Sequence, residues 1–153
     1  MPSHSETRRL PHSAAQMYDL VADVARYPEF LPWTAAARIR SRTPIPDEPG
    51  SEIMEADLVI AFRVFRERFG SRVTLRPAQM RIETVYIDGP FQYMHSHWAF
   101  RDTGDGGCEA EFHVDFEMKN AVLRRVVGLV FHEAMKRVVR AFDDRAAALY
   151  GRA

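Results

Sequence analysis

Side chains able to move protons, attack carbon or hold a metal are few in this chain and widely spaced. There are six histidines. His95 and His97 are two apart, which on an extended strand puts both rings on one face. Two imidazoles there supply two metal ligands, but no third ligand is evident nearby in sequence. His113 falls on the polar side of an alternating segment, His132 on or near the polar side of a helical one, and His4 and His12 flank the first strand. No acidic partner stands out to orient any of them, so a histidine acid–base site would need one brought in by the fold. The single cysteine, Cys108, excludes an internal disulfide and argues against a structural zinc site. There is no glycine-rich phosphate loop and no nucleophile elbow.

Arginine is the other chemically capable group. Arg63, Arg66, Arg68, Arg72, Arg76 and Arg81 cluster within nineteen positions. They fit a solvated sheet face with cross-strand Glu/Arg pairs. They also fit a basic patch for lipid head groups or RNA phosphates. Formal net charge is zero, so bulk electrostatics gives no reason to expect nucleic acid or an acidic substrate. Charge is nevertheless uneven: residues 101–118 hold six acids and one Arg, residues 119–153 eight bases and three acids.

The elements that must position these groups are legible in the periodicity. Asn120 to Leu149 carries apolar pairs one turn apart: Val122/Leu123, Val126/Val127, Val130/Phe131, Ala134/Met135, Val138/Val139 and Ala141/Phe142. This predicts a helix of roughly 45 Å with one wide apolar stripe. Asn120 suits its N-cap and Gly151 its C-terminal end. At the other end of the chain, residues 3–10 form a strand stopped by Pro11. Ser13 caps a helix with Gln16 in the capping-box position. Pro28 and Pro32 then break the helix into a kinked corner holding Tyr27, Phe30, Leu31 and Trp33. That corner is either the edge of the core or the rim of a pocket.

From Ala36 onward the period is two. Strands are expected at 36–42, from Met54 to Phe62, on to Leu75 after a phase slip near Ala61–Arg66, and at 79–87. Further strands are expected over Phe91–Arg101 and, after the turn Thr103–Gly107, over Cys108–Met118, where the alternation is cleanest. The chain of 153 residues is therefore expected to be one α+β domain. A curved antiparallel sheet of about six to seven strands packs its apolar face on the long helix, with two short helices after the first strand. If the sheet curves strongly, a cavity opens between sheet and helix. No run is apolar and long enough to span a bilayer and no signal-peptide core is seen, so a cytoplasmic address is expected, with any membrane contact peripheral.

Four stretches carry a family resemblance. Val21-Ala-Asp-Val-Ala-Arg-Tyr-Pro-Glu-Phe-Leu-Pro-Trp33 resembles the signature of START-like, helix-grip proteins of the coenzyme Q-binding group. Phe69-Gly-Ser-Arg-Val-Thr-Leu with Pro77, Gly89-Pro-Phe with Trp98-Ala-Phe, and Phe112–Phe116 leading into the last helix are similar to the same group and follow in the same order. The group includes mitochondrial ubiquinone chaperones and bacterial RatA proteins, described as ribosome-association toxins. The resemblance implies a helix-grip fold whose apolar cavity holds an isoprenoid quinone, with no cofactor and no catalytic residue. Inward-facing positions then give the expected wall: Phe30, Trp33, Leu58, Phe62, Trp98, Phe100, Phe116, Val127, Val130, Phe131, Met135 and Val138. The expected function is to carry ubiquinone or a related polyprenyl lipid in support of respiration. One alternative is a module binding the large ribosomal subunit. Another is a polyketide cyclase- or hydrolase-like enzyme working through His95, His97 or His113.

Overall fold

Ser13 and Gln16 satisfy each other's backbone N–H groups and open a helix at the residue after the first turn of chain, as the capping-box pattern requires. The computed structural model describes residues 3–62 and 65–151, with the backbone alone of Phe62 and Phe65. The elements run β1 (Ser3–Leu10), α1 (Ala14–Ala22), a 3-10 helix (Val24–Glu29), β2 (Thr34–Pro44), β3 (Glu52–Phe62) and β4 (Phe65–Arg76). A short 3-10 turn precedes β5 (Arg81–Asp88), which is followed by β6 (Phe91–Asp102), β7 (Cys108–Met118) and α2 (Ala121–Tyr150).

All seven strands form one curved antiparallel sheet in the order β1-β7-β6-β5-β4-β3-β2. Every pairing except β1 with β7 joins strands consecutive in sequence. Such a meander needs only short turns and returns the first strand to the edge beside the last. The phase slip expected near Ala61–Arg66 coincides with the β3–β4 connection, where Phe62 pairs with Phe65. Arg63 and its neighbour at 64 lie outside the described residues. The strand expected at 36–42 begins earlier, at Thr34, and runs to Pro44.

Alternation along the strands sorts the residues as the period of two dictates. Met54, Ala56, Val73, Leu75, Ile82, Phe100, Cys108 and Ala110 are buried on the inner face. They pack with α1 residues Met17, Leu20 and Val21 and with Phe142 and Ala146 of α2 in one core. A second, smaller cluster forms nearer the start of α2, from Phe116, Met118 and Phe131, with Leu123, Val127 and Met135 beside it. The outer face is ionic. Arg72 pairs with Glu55, Arg76 with Glu48 and Glu83, and Arg40 and Arg68 with Asp57. Arg40, Arg68, Arg72 and Arg76 thus occupy a solvated face with nearby acids, whereas Arg8 of β1 turns to α2 and pairs with Asp143.

The long helix begins and ends where its sequence signals lie. Asn120 Oδ1 accepts from Val122 N and Leu123 N at 2.7 and 3.2 Å, and Gly151, at φ +84°, donates to Ala147 O. Its apolar stripe is less fully covered than the sequence suggests. Only Phe131, Phe142 and Ala146 are buried, while Val122 is 70%, Val126 43% and Leu129 82% exposed. The sheet curves away from the helix axis, so the two surfaces meet at separate places rather than along 30 residues.

Candidate ligand cavity

Between these contacts lies a cavity of about 330 Å³. The aromatic corner supplies one wall through Val24, Tyr27, Leu31, Pro32 and Trp33. The helix supplies another through Ala134, Met135, Val138 and Phe142. The inner face of β3 to β7 provides the rest, including Leu58, Phe69, Trp98 and Phe112.

The corner is set by local chemistry. Pro28 sits in the 3-10 turn, and the Tyr27 hydroxyl donates to Val21 O, tying the turn back onto α1. Burial, with Asp23 adding to it, pushes the Tyr27 phenol up, so it stays a neutral donor. Trp33 closes the corner at φ +62°, a left-handed conformation that bulky residues rarely adopt. Its carbonyl accepts from Ala61 N at 2.8 Å, which fastens that conformation to β3 and turns the indole into the cavity wall.

Of the expected wall residues, Trp33, Leu58, Trp98, Met135 and Val138 line this cavity. Phe62 lies outside the described side chains. The others sit elsewhere. Phe30 packs edge-on against Phe142 at 5.4 Å and under the Arg145 guanidinium, on the outer side of the corner. Phe100 stacks on Trp98 at 5.7 Å but is buried one layer deeper, in the main core. Phe116, Phe131 and Val127 belong to the second cluster, where Phe116 of the sheet meets Phe131 of the helix at 5.4 Å, and do not line the cavity. Val130 is only partly buried and is outside both the cavity lining and the two clusters.

The sequence reading missed the polar part of the wall. Ser71, Thr84 and Ser96 face the cavity from β4, β5 and β6, with Thr34 from β2. Thr84 stands directly opposite Ser96, and Val73, next inward residue after Ser71, opposite Thr84. Three adjacent strands therefore place a short hydroxyl belt across an otherwise apolar surface. The signal was available: each hydroxyl interrupts an inward apolar run (Phe69-Ser71-Val73, Ile82-Thr84, Met94-Ser96-Trp98). Among the described lining residues Tyr27 is the one ionisable side chain.

The histidines are elsewhere. His95, His97 and His113 meet on the outer face of the sheet, behind the cavity wall, with ring centroids 5.6 to 6.4 Å apart. The fold does bring them acids. His113 Nε2 is 3.0 Å and His95 Nδ1 3.6 Å from Asp115 Oδ1, and His97 Nε2 is 3.9 Å from Glu111. Strand phase keeps His95, named in the enzyme alternative, out of the cavity lining, since Met94, Ser96 and Trp98 take the inward positions. Burial, then Arg81, keeps His97 below the ordinary histidine value. Cys108 is fully buried in the core, and burial pushes its thiol up to about 11, so it is a poor nucleophile.

The profile of the family described as polyketide cyclase / dehydrase and lipid transport matches residues 10–143. The chain belongs to that family. Within it, the chain falls in the START-like group of RatA and COQ10 proteins. It is 37% identical over 149 residues to "Ribosome association toxin RatA" of Rickettsia prowazekii, covering 95% of this chain and 97% of that protein. It is 31% identical over 153 residues to "Coenzyme Q-binding protein COQ10 homolog B, mitochondrial" of Xenopus laevis, covering 97% of this chain and 59% of that protein. A solved START superfamily protein from Mycobacterium smegmatis shares the fold, with a TM-score of 0.77 at 21% identity over 96% of this chain and 98% of that one. The architecture is therefore the helix-grip arrangement of the START-like family.

Proposed function

We propose that this protein binds ubiquinone or a related polyprenyl lipid in the cavity between sheet and α2, and acts as a carrier supporting respiration rather than as an enzyme. The observation that carries this reading is the wall itself: apolar side chains from corner, helix and sheet, crossed on the sheet by the Ser71, Thr84 and Ser96 hydroxyls. A quinone ring needs hydrogen-bond donors at its carbonyls and dry contact elsewhere, and this surface offers both. A volume of about 330 Å³ is at the small end of ligand sites (roughly 300–1,000 Å³). It accommodates the ring and the first isoprene units, so a longer tail leaves along the uncovered first turns of α2. Each methylene-sized group kept dry contributes about 0.8 kcal/mol. The related COQ10 homolog is named for coenzyme Q binding, which supports the same cargo class. The family also includes cyclases. The absence of a carboxylate or imidazole among the described lining residues weighs against bond chemistry here.

Mass spectrometry of organic extracts from the purified protein tests the reading. An isoprenoid quinone near one per chain is expected. Protein that carries no isoprenoid lipid, and takes up none from quinone-loaded vesicles, ends it.

A second reading, association with the large ribosomal subunit, draws on the RatA relatives and on a basic groove. Arg137 and Arg140 of α2 line this groove with Phe30 and Pro32, and neither arginine lines the cavity. Charge reversal at both positions should abolish any salt-sensitive co-sedimentation with ribosomes while leaving lipid content unchanged. Unchanged co-sedimentation would remove these residues from the contact.

A further inference from the structure

The outer face of the sheet carries a cluster with no part in the cavity. His95 on β6 stands directly opposite Asp115 on β7, and His113 lies two residues before Asp115 on the same strand and face. One donor atom from each of the three lies within 4.8 Å of the others. We propose that His95, His113 and Asp115 bind a divalent transition-metal ion of the zinc class on the face of the sheet turned away from the lipid cavity.

Geometry comes first. Nitrogen and oxygen ligands sit at about 2.0–2.2 Å from zinc, which puts neighbouring tetrahedral ligand atoms about 3.3 Å apart. The present separations from Asp115 Oδ1, 3.0 Å to His113 Nε2 and 3.6 Å to His95 Nδ1, bracket that value. Small side-chain rotations suffice, because all three residues are carried on paired strands whose register is fixed by the ladder.

The surroundings suit a ligand set rather than a chance meeting of side chains. Ser5 on β1 stands opposite His113, and its Oγ hydrogen-bonds His113 Nδ1. That contact settles the ring's orientation and leaves Nε2 turned to Asp115, the arrangement by which an outer hydrogen bond aims a metal-binding imidazole. The His97 ring stacks on His113 at 5.6 Å and 27°. Two imidazoles and one carboxylate select zinc, copper or nickel over magnesium or calcium, which prefer oxygen alone. Three protein ligands leave a fourth position to water.

Isothermal titration of the tag-free full-length protein with Zn²⁺ tests this, with Mg²⁺ as the comparison ion. One Zn²⁺ per chain is expected, not displaced by excess Mg²⁺. His113→Ala and Asp115→Asn should each weaken binding at least tenfold, and His132→Ala, on the exposed side of α2, should not. Zn²⁺ should also raise the melting temperature of the parent and not of the Asp115→Asn protein, and the metal-free variant should melt as the metal-free parent does. Zinc uptake equal in parent and Asp115→Asn protein overturns the proposal. So does a parent that takes up no zinc, or binds Mg²⁺ equally well.

Discussion

Trp98 on β6 and Phe142 on α2 meet edge-on, with ring centroids 5.2 Å apart at 65°. Phe142 also touches Tyr27 at 5.7 Å and Phe30 at 5.4 Å. One side chain thus joins sheet, corner and helix at the inner end of the cavity. Three edge-to-face contacts add to the area it buries.

Phe142→Ala should therefore cost about 3–5 kcal/mol, the usual range for a buried phenylalanine whose site cannot collapse. Met135→Ala, seven residues earlier on the cavity wall, should cost clearly less because open space already adjoins it. Urea midpoints of the two variants decide the matter. Equal losses would mean that the cavity is closed around Met135 in solution.

The hydroxyl belt makes a separable prediction. Ser71→Ala and Ser96→Ala should each remove a head-group hydrogen bond worth about 0.5–1.5 kcal/mol, roughly a two- to tenfold loss in affinity for a ubiquinone analogue. Stability should change little, since each methyl group still fits an apolar wall. Fluorescence quenching of Trp33 and Trp98 by the quinone provides the readout. An unchanged affinity in the double variant would place the quinone ring elsewhere.

On the proposed carrier function, loading a water-insoluble lipid requires contact with a bilayer. The corner residue Phe30 is engaged with Phe142, so the first half of α2 is the better candidate, with Leu129, Val122 and Val126 uncovered near Arg125. Leu129→Glu should lower flotation with anionic vesicles several-fold without shifting the melting temperature, because the side chain is 82% exposed. Flotation equal to the parent's would exclude Leu129 from the membrane contact.

Acid sensitivity follows from Asp57. Arg40 Nε donates to its Oδ2 at 2.9 Å and Arg68 to its Oδ1 at 2.6 Å. Hydrogen bonds and charge, first from Arg40 and then from Arg68, hold this carboxyl below the usual carboxylate value. A depressed carboxyl contributes stability that is fully present above the unfolded-chain value of about 3.9 and is lost as pH falls below it. Asp57→Asn should lower the urea midpoint at pH 7 and flatten its fall between about pH 5 and pH 3. A variant with the parent's full acid dependence would assign that limb to other carboxylates.

Much of this architecture could be read along the chain because its signals are local. Ser13 with Gln16, Asn120 and Gly151 mark helix ends by hydrogen bonds formed within a few residues, and a period of two separates Phe112 from His113 wherever the strand is placed. Cavity membership is not local. Phe116 and Phe131 have the same character as Trp98 and Met135, yet they fill a closed cluster, because the sheet's curvature decides where it touches the helix. Phe30 stays outside the cavity lining for a related reason: it packs on Tyr27, Phe142 and the Arg145 guanidinium, partners that only the fold brings to it. The hydroxyl belt, and His95 beside His113 and Asp115, come together only through strand pairing. Their meaning depended on which strands lay side by side.

The uneven burial of α2 also divides the protein's resistance to opening. Phe142 and Ala146 tie the last third of the helix into the main core, whereas its first three turns rest on the smaller cluster through Leu123, Val127 and Phe131 and on Arg124, which pairs with Glu117 and donates to Met118 O. Amide protons near residue 125 should therefore exchange with solvent long before those near residue 145. Opening there would loosen one small aromatic cluster and leave the main core intact, which on the proposed carrier function gives a lipid its way in.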